Sequence, residues 1–198
     1  MIAAVIATRY HPPQLSDLLR VLISDGVEPI VLRSEVFDHH LYRMWNVGVE
    51  EARAKGAAYI AVLNDDVGLP RCAMGALGEA LDRFPDVGVV YPDVASGSLE
   101  SWTGGSVIQR TTGTWGAGGM TGFCFMFRAD LGISFDEDWG LWYGDDAFEE
   151  AVRASGMAVA RVVGVPVRHT PQGSTSRDMG HWGPIIAADR ARWDALHA

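Results

Sequence analysis

The sequence predicts an α/β fold, a mixed and mostly parallel sheet flanked by helices. Short apolar runs alternate with stretches of helical apolar spacing through the first ninety residues. Glycines at positions 26 and 56 end the first two helical stretches. The run Ala58 to Asp66, AYIAVLNDD, is too short for a helix and ends in three polar residues. That pattern is typical of a buried strand that carries polar side chains to the edge of a sheet.

The elements of the first half follow in chain order. They are a strand over Met1 to Thr8, a helix ending at Gly26, a strand over Pro29 to Leu32, a helix ending at Gly56, the AYIAVLNDD strand, a helix opened by Pro70 and a strand over Gly88 to Tyr91. Apolar spacing gives the inward faces of these helices as Leu15, Leu18, Leu19, Leu22 and Ile23, then Leu41, Met44, Trp45, Gly48 and Ala52, then Leu77, Ala80, Leu81 and Phe84.

The second half begins with a region rich in Gly, Ser, Thr and Trp, from Ala95 to Gly119, with one strand around Val107. Long loops in compact domains commonly bind a ligand, although Trp102 and Trp115 are equally expected to fold back onto the core. The remaining predicted elements are a strand over Phe123 to Phe127, a helix from about Asp145 with Phe148, Ala151 and Val152 inward, a strand over Val159 to Val167 and a helix over Pro184 to His197 with Trp193 and Leu196 on its apolar side.

Composition excludes some function classes. The 198 residues suit a single domain, and the net charge of −9, with 16 basic residues scattered among 25 acidic ones, argues against a nucleic-acid partner. No apolar run reaches the roughly 20 residues that span a bilayer, and the first residues lack a basic leader. We therefore expect a cytoplasmic protein without a transmembrane segment, with peripheral membrane association left open. Cys72, in a predicted helix, and Cys124 are expected to be buried free thiols.

Polar side chains follow two predicted strands and open one helix. Asn64, Asp65 and Asp66 end one strand, and His169 ends another. The carboxyl ends of strands in an alternating α/β sheet line one crevice, so these sites are expected to meet there. Adjacent carboxylates repel each other unless a cation lies beside them, and hard divalent cations prefer such oxygens. Asp65 and Asp66 would otherwise only form a turn and cap the next helix, and His169 would be an ordinary polar strand end.

Asp145 opens a predicted helix beside Gly144. A helix N-terminus keeps a carboxylate ionised, so Asp145 is a candidate general base, although an Asp there is also a common N-cap. Nearby Trp139, Trp142 and Tyr143 are suited to stack on a sugar, or else to pack against the sheet. The glycines of the chain form neither a phosphate loop nor a dinucleotide fingerprint.

Two blocks of sequence together resemble the inverting family 2 glycosyltransferases of the GT-A fold, the Rossmann-like fold of nucleotide-diphospho-sugar transferases. The first block is WNVG at Trp45 to Gly48, followed by AYIAVLNDDV. The second is TGFCFMFRADLG, FDEDW, YGDDAFEEAVRASG and VRH. The resemblance covers most of the chain and implies transfer of a sugar from a UDP, GDP or dTDP donor to a hydroxyl of a glycan, a protein or a small molecule. It divides the chain into a donor half (1–94), an acceptor and catalytic half (95–180) and a C-terminal helix (181–198).

The resemblance also implies roles for individual residues. Asp145 would be the base, with Asp146 sharing or taking that role. The implied ligands of Mn²⁺ or Mg²⁺ are Asp66, Asp65 and His169. Those implied for the donor nucleotide are Thr8, Arg9, Glu35, Asn46, Asn64, Asp65 and Arg177, with residues 172–177 as a lid. Those implied for the acceptor or sugar are Trp115, Gly122, Trp139, Trp142 and Tyr143.

Two other functions stay open, one of them because the chain departs from the family pattern. Asn64 stands where the family often has Asp, Arg33-Ser34-Glu35 replaces an acidic turn, and the catalytic pair reads Gly-Asp instead of Glu-Asp. A non-catalytic nucleotide- or sugar-binding protein is consistent with these changes, whereas intact Asp66, Asp145 and His169 favour an enzyme. A nucleotidyltransferase is the other alternative, disfavoured because a glycine-rich basic loop does not follow the first strand. The apolar side of the C-terminal helix makes a homo-oligomer possible.

Overall fold

The computed structural model describes residues 1–94, 107–113, 119–169 and 178–198. These residues form one mixed sheet between two layers of helices, which confirms the predicted fold class. The strands are β1 Ile2–Thr8, β2 Glu28–Arg33, β3 Tyr59–Asn64, β4 Val67–Gly68, β5 Val87–Val94, β6 Val107–Arg110, β7 Cys124–Arg128 and β8 Ala158–His169. The α-helices are α1 Pro13–Ser24, α2 Leu41–Ala54, α3 Ala73–Arg83, α4 Gly144–Ala154 and α5 Met179–Leu196. Trp102, Trp115 and the predicted lid over 172–177 lie outside the described residues.

The strand order is β2-β1-β3-β7-β5-β8-β4, with β6 also paired to β8. Neighbouring strands are parallel for β1 with β2, β1 with β3 and β5 with β8, whereas β7 runs antiparallel to both of its neighbours. The register aligns Ala7 of β1 with Asn64 of β3, and Leu63 with Cys124 at the start of β7. Val67 of β4 pairs with His169 at the end of β8. One edge of the sheet therefore collects the ends of β1, β3 and β8 and the start of β7.

Hydrophobic cores lie on both faces of the sheet. Alternation along β1 sends Ala4 and Ile6 to the face covered by α1 and α3, and Ala3 and Val5 to the face covered by α2 and α4. A Cβ at Gly48 of α2 would lie 2.4 Å from Val5 Cγ1, so a glycine is needed for α2 to pack this closely on β1. Among the described residues, no helix is both long enough and apolar enough to cross a membrane.

The start of α3 differs from the prediction. Pro70 does not open the helix, which begins at Ala73 with Cys72 as its N-cap residue. Cys72 has a φ of 64°, a left-handed conformation that a helix cannot contain, and its N–H donates to a carboxylate oxygen of Asp25. Cys72 is exposed, so the prediction of two buried thiols is wrong for Cys72 and confirmed for Cys124.

The C-terminal helix is longer than predicted. It begins at Met179, and the side chain of Asp178 caps it by accepting from the N–H of His181, so Pro184 lies inside the helix. Ile23, Ala151 and Leu196 were assigned to inward faces but are exposed. Each lies at the margin of an apolar stripe, where helical spacing alone does not separate buried from exposed positions.

Candidate active site

Two adjoining cavities open at the edge of the sheet where β1, β3 and β8 end. The Asp66 cavity, of about 470 Å³, is lined by Thr8, Arg9, Asp65 and Asp66 together with Met179, Trp182 and Ile186 of α5. The Asp145 cavity, of about 370 Å³, is lined by Tyr42, Trp45, Gly122, Phe123, Tyr143, Asp145 and Asp146. Residues common to both linings are Leu41, Asn64, Leu141, Trp142 and His169. A bound molecule in one cavity would therefore contact the same wall as a molecule in the other.

Asp66 and His169 face each other in the Asp66 cavity. His169 Nε2 lies 3.2 Å from Asp66 Oδ1, a nearly buried oxygen that accepts no hydrogen bond of acceptable geometry from the described residues. The imidazole stacks on Phe123, with ring centres 4.3 Å apart and planes 7° from parallel, and its Nε2 lies 3.5 Å from the Asn64 amide nitrogen. The pairing of β4 with β8 brings the carboxylate and the imidazole together.

This pair fits a divalent cation that also binds phosphate. A buried carboxylate oxygen without a hydrogen bond is costly unless a cation lies beside it. Mg²⁺ is usually held by one or two protein ligands together with substrate phosphates and water. The predicted ligand set of Asp65, Asp66 and His169 is not assembled, because no group of three His, Cys, Asp or Glu side chains in the described ranges is arranged to hold a metal ion. Of these three residues, Asp66 and His169 are the two that face each other.

The side chain of Asp65 bonds to β1 and does not join the Asp66–His169 pair. Its Oδ2 accepts a hydrogen bond of 2.6 Å from the Thr8 hydroxyl, and it lies in the lining of the Asp66 cavity. Burial raises the pKa of the Asp65 carboxyl, the Thr8 hydrogen bond lowers it, and the negative charge of neighbouring Asp66 raises it. The structure thus separates two adjacent carboxylates, with Asp66 facing His169 and Asp65 bonded to Thr8.

Arg9 brings a positive charge to the Asp66 cavity. Its guanidinium lies 5.0 Å from the ring centre of Tyr10 and 5.2 Å from that of Trp182, and it pairs with Asp178 at 3.4 Å. Its Nη1 is buried and donates no hydrogen bond to a described residue. A buried guanidinium donor of this kind is suited to an anionic ligand.

Asp145 lies in the first turn of α4 and borders the Asp145 cavity. The pKa of Asp145 is raised from 3.8 to about 6, chiefly because burial disfavours the charged carboxylate; N–H groups at the helix start lower this pKa, and the Glu149 carboxylate raises it. A Cβ added to Gly122 would lie 1.8 Å from Asp145 Oδ2, so the carboxylate occupies the space that a side chain at position 122 would need. Asp146 is also buried, at 7% exposure, and borders the same cavity.

The segment before α4 is held by side chains that sequence reasoning missed. Asp189 of α5, 4% exposed, accepts hydrogen bonds of 2.8 to 2.9 Å from the backbone N–H groups of Gly140, Leu141 and Trp142. The Tyr42 hydroxyl donates to Leu141 O at 2.8 Å and accepts from the Gly144 N–H at 3.0 Å. Burial raises the pKa of this phenol, which keeps its donor proton in place. In the sequence, Tyr42 and Asp189 are each no more than a polar residue on a predicted helix, which gives no sign of these contacts.

A buried carboxylate also holds the glycine loop that borders Asp145. Glu149, fully buried, accepts from the Met120 N–H at 2.7 Å and pairs with Arg153. Met120 lies two residues before Gly122, so Glu149 holds the loop from inside α4. Glu149, like Asp189 and Tyr42, was not singled out from the sequence.

Several predicted site residues lie elsewhere. Trp139 is 1% exposed and packs beneath Arg192, which corrects its assignment to the acceptor site. Asn46 bonds to the backbone N–H and O of Phe135 and to Glu137, joining α2 to that segment, and Glu35 is exposed on a 3₁₀ turn after β2. Neither borders the two cavities among the described residues. Trp142 and Tyr143 do border the Asp145 cavity, whereas Trp115 and Arg177 lie outside the described residues.

Comparison with known proteins shows the fold. No protein-family model and no curated protein sequence matches the chain. Among solved structures, the mannosyltransferase PcManGT from Pyrobaculum calidifontis, in complex with GDP-Man and Mn²⁺, has a TM-score of 0.61 at 14% identity, over 87% of this chain and 58% of that one. Glucosyl-3-phosphoglycerate synthase from Mycobacterium tuberculosis, in complex with Mg²⁺ and UDP, has a TM-score of 0.57 at 11% identity, over 89% and 73%.

Residues 1–349 of S. aureus TarS are also similar, with a TM-score of 0.56 at 11% identity over 81% of this chain. The chain spans only 57% of that TarS fragment. Identities this low show a shared fold and leave the activity to be argued from the site. The chain thus has the GT-A fold that its sequence predicts.

Proposed function

We propose that this chain is a metal-dependent glycosyltransferase that moves a sugar from a nucleotide-diphosphate donor to an acceptor hydroxyl, with inversion. The observation that carries the proposal is the pair of cavities with a common wall of Asn64 and His169. Asp66 borders one cavity and Asp145 the other, as direct displacement between two bound substrates requires. Structures of the same fold that are in complex with GDP-Man and Mn²⁺, or with UDP and Mg²⁺, support this reading.

In this proposal the Asp66 cavity holds the donor. Asp66 and His169 would hold Mn²⁺ or Mg²⁺, which when bound offsets the negative charge that develops on the leaving diphosphate. Arg9 adds a positive charge on the same side, and Thr8 holds Asp65 at the cavity wall. We assign residues 1–94 to the donor half and 95–180 to the acceptor and catalytic half, with α5 completing the donor cavity through Trp182.

Asp145 acts as the general base. Its carboxylate takes the proton of the acceptor hydroxyl as the hydroxyl oxygen attacks the anomeric carbon, and the bond from that carbon to the nucleotide diphosphate breaks on the opposite face. The raised pKa of Asp145 makes it a stronger proton acceptor than an ordinary carboxylate, while leaving it mostly ionised at neutral pH. Asp146 lies next to it at the same cavity.

A binding screen tests the donor assignment. UDP, GDP, dTDP and their sugars are titrated into the protein by calorimetry, each with Mn²⁺ and with a chelator. We expect one nucleotide to bind tightly with the ion and at least tenfold more weakly without it. A protein that binds none of these nucleotides in a metal-dependent way would contradict the proposal.

Product analysis separates the two enzyme classes. With the matching nucleotide sugar, we expect slow release of nucleoside diphosphate by transfer to water or to an added acceptor. A nucleotidyltransferase would instead release pyrophosphate from a nucleoside triphosphate and a sugar phosphate. Metal-linked nucleotide binding without either product would favour a non-catalytic binding protein.

A further inference from the structure

The Asp145 cavity also indicates which acceptors fit. We propose that it binds an uncharged hydroxyl compound through a flat apolar face, such as a neutral sugar ring, and that it rejects anionic acceptors. The inference rests on the proposed function, because it takes this cavity as the acceptor site. It adds the chemical class of the acceptor, which the fold and the general reaction leave open.

The shape of the cavity favours a flat ligand. Aromatic rings form much of its wall, including Tyr42, Phe123, Trp142 and Tyr143. Trp142 is 46% exposed, so much of its indole is accessible to a ligand. Its backbone N–H is fixed by buried Asp189, so the residue is held in place before a ligand binds. Apolar faces of sugar rings and other flat groups pack well on such aromatic side chains.

The charge of the cavity disfavours anions. Asp145 and Asp146 both border it, and none of the described residues in its lining is Lys or Arg. The segments that the structure does not describe, 95–106, 114–118 and 170–177, contain a single basic residue, Arg177, and an acidic one, Glu100. An anionic group on the acceptor would meet like charge in a partly buried site, where screening by water is weak.

The neighbouring cavity is also bordered by two carboxylates, Asp65 and Asp66, but a basic residue borders it as well. Arg9, with a buried guanidinium nitrogen that donates no hydrogen bond to a described residue, borders the Asp66 cavity but not the Asp145 cavity. The Asp66–His169 pair fits a divalent cation on that same side. An arginine thus borders the cavity where the proposed function places a diphosphate, whereas no Lys or Arg is among the described residues that line the cavity where it places the acceptor.

Matched pairs of glycosides test the inference. The probes are p-nitrophenyl β-D-glucopyranoside against p-nitrophenyl β-D-glucuronide, and the corresponding galactoside against galacturonide, titrated at pH 7.5 with the nucleotide and Mn²⁺ present. Within each pair only a hydroxymethyl group is replaced by a carboxylate. We expect the neutral member of at least one pair to bind at least tenfold more tightly than its uronide.

Two variants and a control test the charge and the aromatic wall of this cavity; because Trp142 also borders the Asp66 cavity, nucleotide affinity is measured in each variant. Asp146→Asn removes one negative charge and should narrow the difference between neutral and anionic members. Trp142→Ala should weaken the neutral glycosides several-fold because it removes the exposed indole. Asp130→Asn makes the same charge change at an exposed position beyond the far end of β7 and should leave the ratio unaltered.

The outcomes separate this inference from the proposed function. The inference is overturned if the uronides bind as tightly as the neutral glycosides or more tightly, or if no member of either pair binds. This holds even when the nucleotide binds with metal. Loss of metal-linked nucleotide binding overturns the proposed function, and the acceptor assignment with it, whatever the glycosides do. An unchanged ratio in Asp146→Asn overturns the electrostatic explanation.

Discussion

The two cavities share a wall but are built in different ways. In the Asp66 cavity, the strand ends carry the polar side chains: Thr8 ends β1, and Asp65 and Asp66 directly follow β3. The Asp145 cavity depends on a segment and a glycine loop that are held by the side chains of Asp189, Tyr42 and Glu149. Strand ends thus place the carboxylates of one cavity, and buried polar side chains hold the segments beside the carboxylates of the other.

The two cavities also differ in chemistry. Arg9 and the Asp66–His169 pair suit one cavity to a phosphate-bearing ligand with a metal ion. The other cavity has aromatic rings and two carboxylates, with no Lys or Arg among the described residues of its lining, which suits it to a neutral ligand that gives up a proton. Variants that affect one cavity and spare the other test whether this division is functional.

The largest expected effect is a loss of sugar transfer while nucleotide binding is retained. Asp145→Asn keeps the size of the side chain but cannot accept the proton, so we expect the transfer rate to fall by about 10²- to 10⁴-fold. Nucleotide affinity with Mn²⁺ should stay within about twofold, because Asp145 is in the described lining of the Asp145 cavity and not in that of the Asp66 cavity. Nucleoside diphosphate release measures the first quantity and calorimetry the second. Equal loss of both would assign Asp145 to structure or donor binding.

The reciprocal test affects the donor side. Asp66→Asn removes the carboxylate that faces His169, and we expect metal-dependent nucleotide affinity to fall by about 10- to 100-fold, as is typical when a metal site is impaired. Binding of p-nitrophenyl glycosides without nucleotide should be unaltered. Asp130→Asn serves as the control for the charge change. Retained affinity with Mn²⁺ would show that Asp66 is not a ligand.

The sequence predicted the strand-built half of the site better than the side-chain-built half. Asn64 and His169 were expected at one crevice because parallel strands end together, and the structure brings them to 3.5 Å. Asp189 was not foreseeable, because an acidic residue on a surface helix carries no signal of where its carboxylate bonds. Its partners are backbone N–H groups nearly fifty residues earlier in the chain, a contact that only tertiary packing creates.

Trp139 and Asp65 show a second limit of the sequence. Both residue types and both positions matched the expected site, but Trp139 packs beneath Arg192 and Asp65 bonds to Thr8. The direction in which a side chain points depends on neighbours from distant segments. The position of these two residues in a motif therefore did not determine what their side chains contact. The fold followed from local patterns, and the final geometry of the site did not.

A smaller effect, on stability and on ligand binding at both cavities, is expected from a change at Asp189. Asp189→Asn replaces a carboxylate that accepts three backbone N–H bonds with an amide that accepts fewer, and we expect unfolding free energy to fall by about 2 kcal/mol. Leu141 and Trp142 border both cavities, so nucleotide and glycoside binding should weaken together. Urea unfolding and calorimetry measure these effects. Asp194→Asn, exposed on the same helix, is the matched control, and an effect confined to one cavity would contradict this role.

The smallest expected effect is a pH-dependent gain in stability from Asp145→Asn. The folded-state pKa of Asp145, about 6, lies above its ordinary value of 3.8, so the ionised carboxylate costs stability at neutral pH and the cost disappears on protonation. Because the side chain is partly exposed, we expect a gain on the order of 1 kcal/mol above pH 6, narrowing as pH falls toward 4. Urea unfolding of wild type and variant at pH 7.5, 6 and 5 measures it, with Asp130→Asn as control. A gain independent of pH would mean that repacking, not charge burial, stabilises the variant, and would remove the electrostatic contrast between the two cavities.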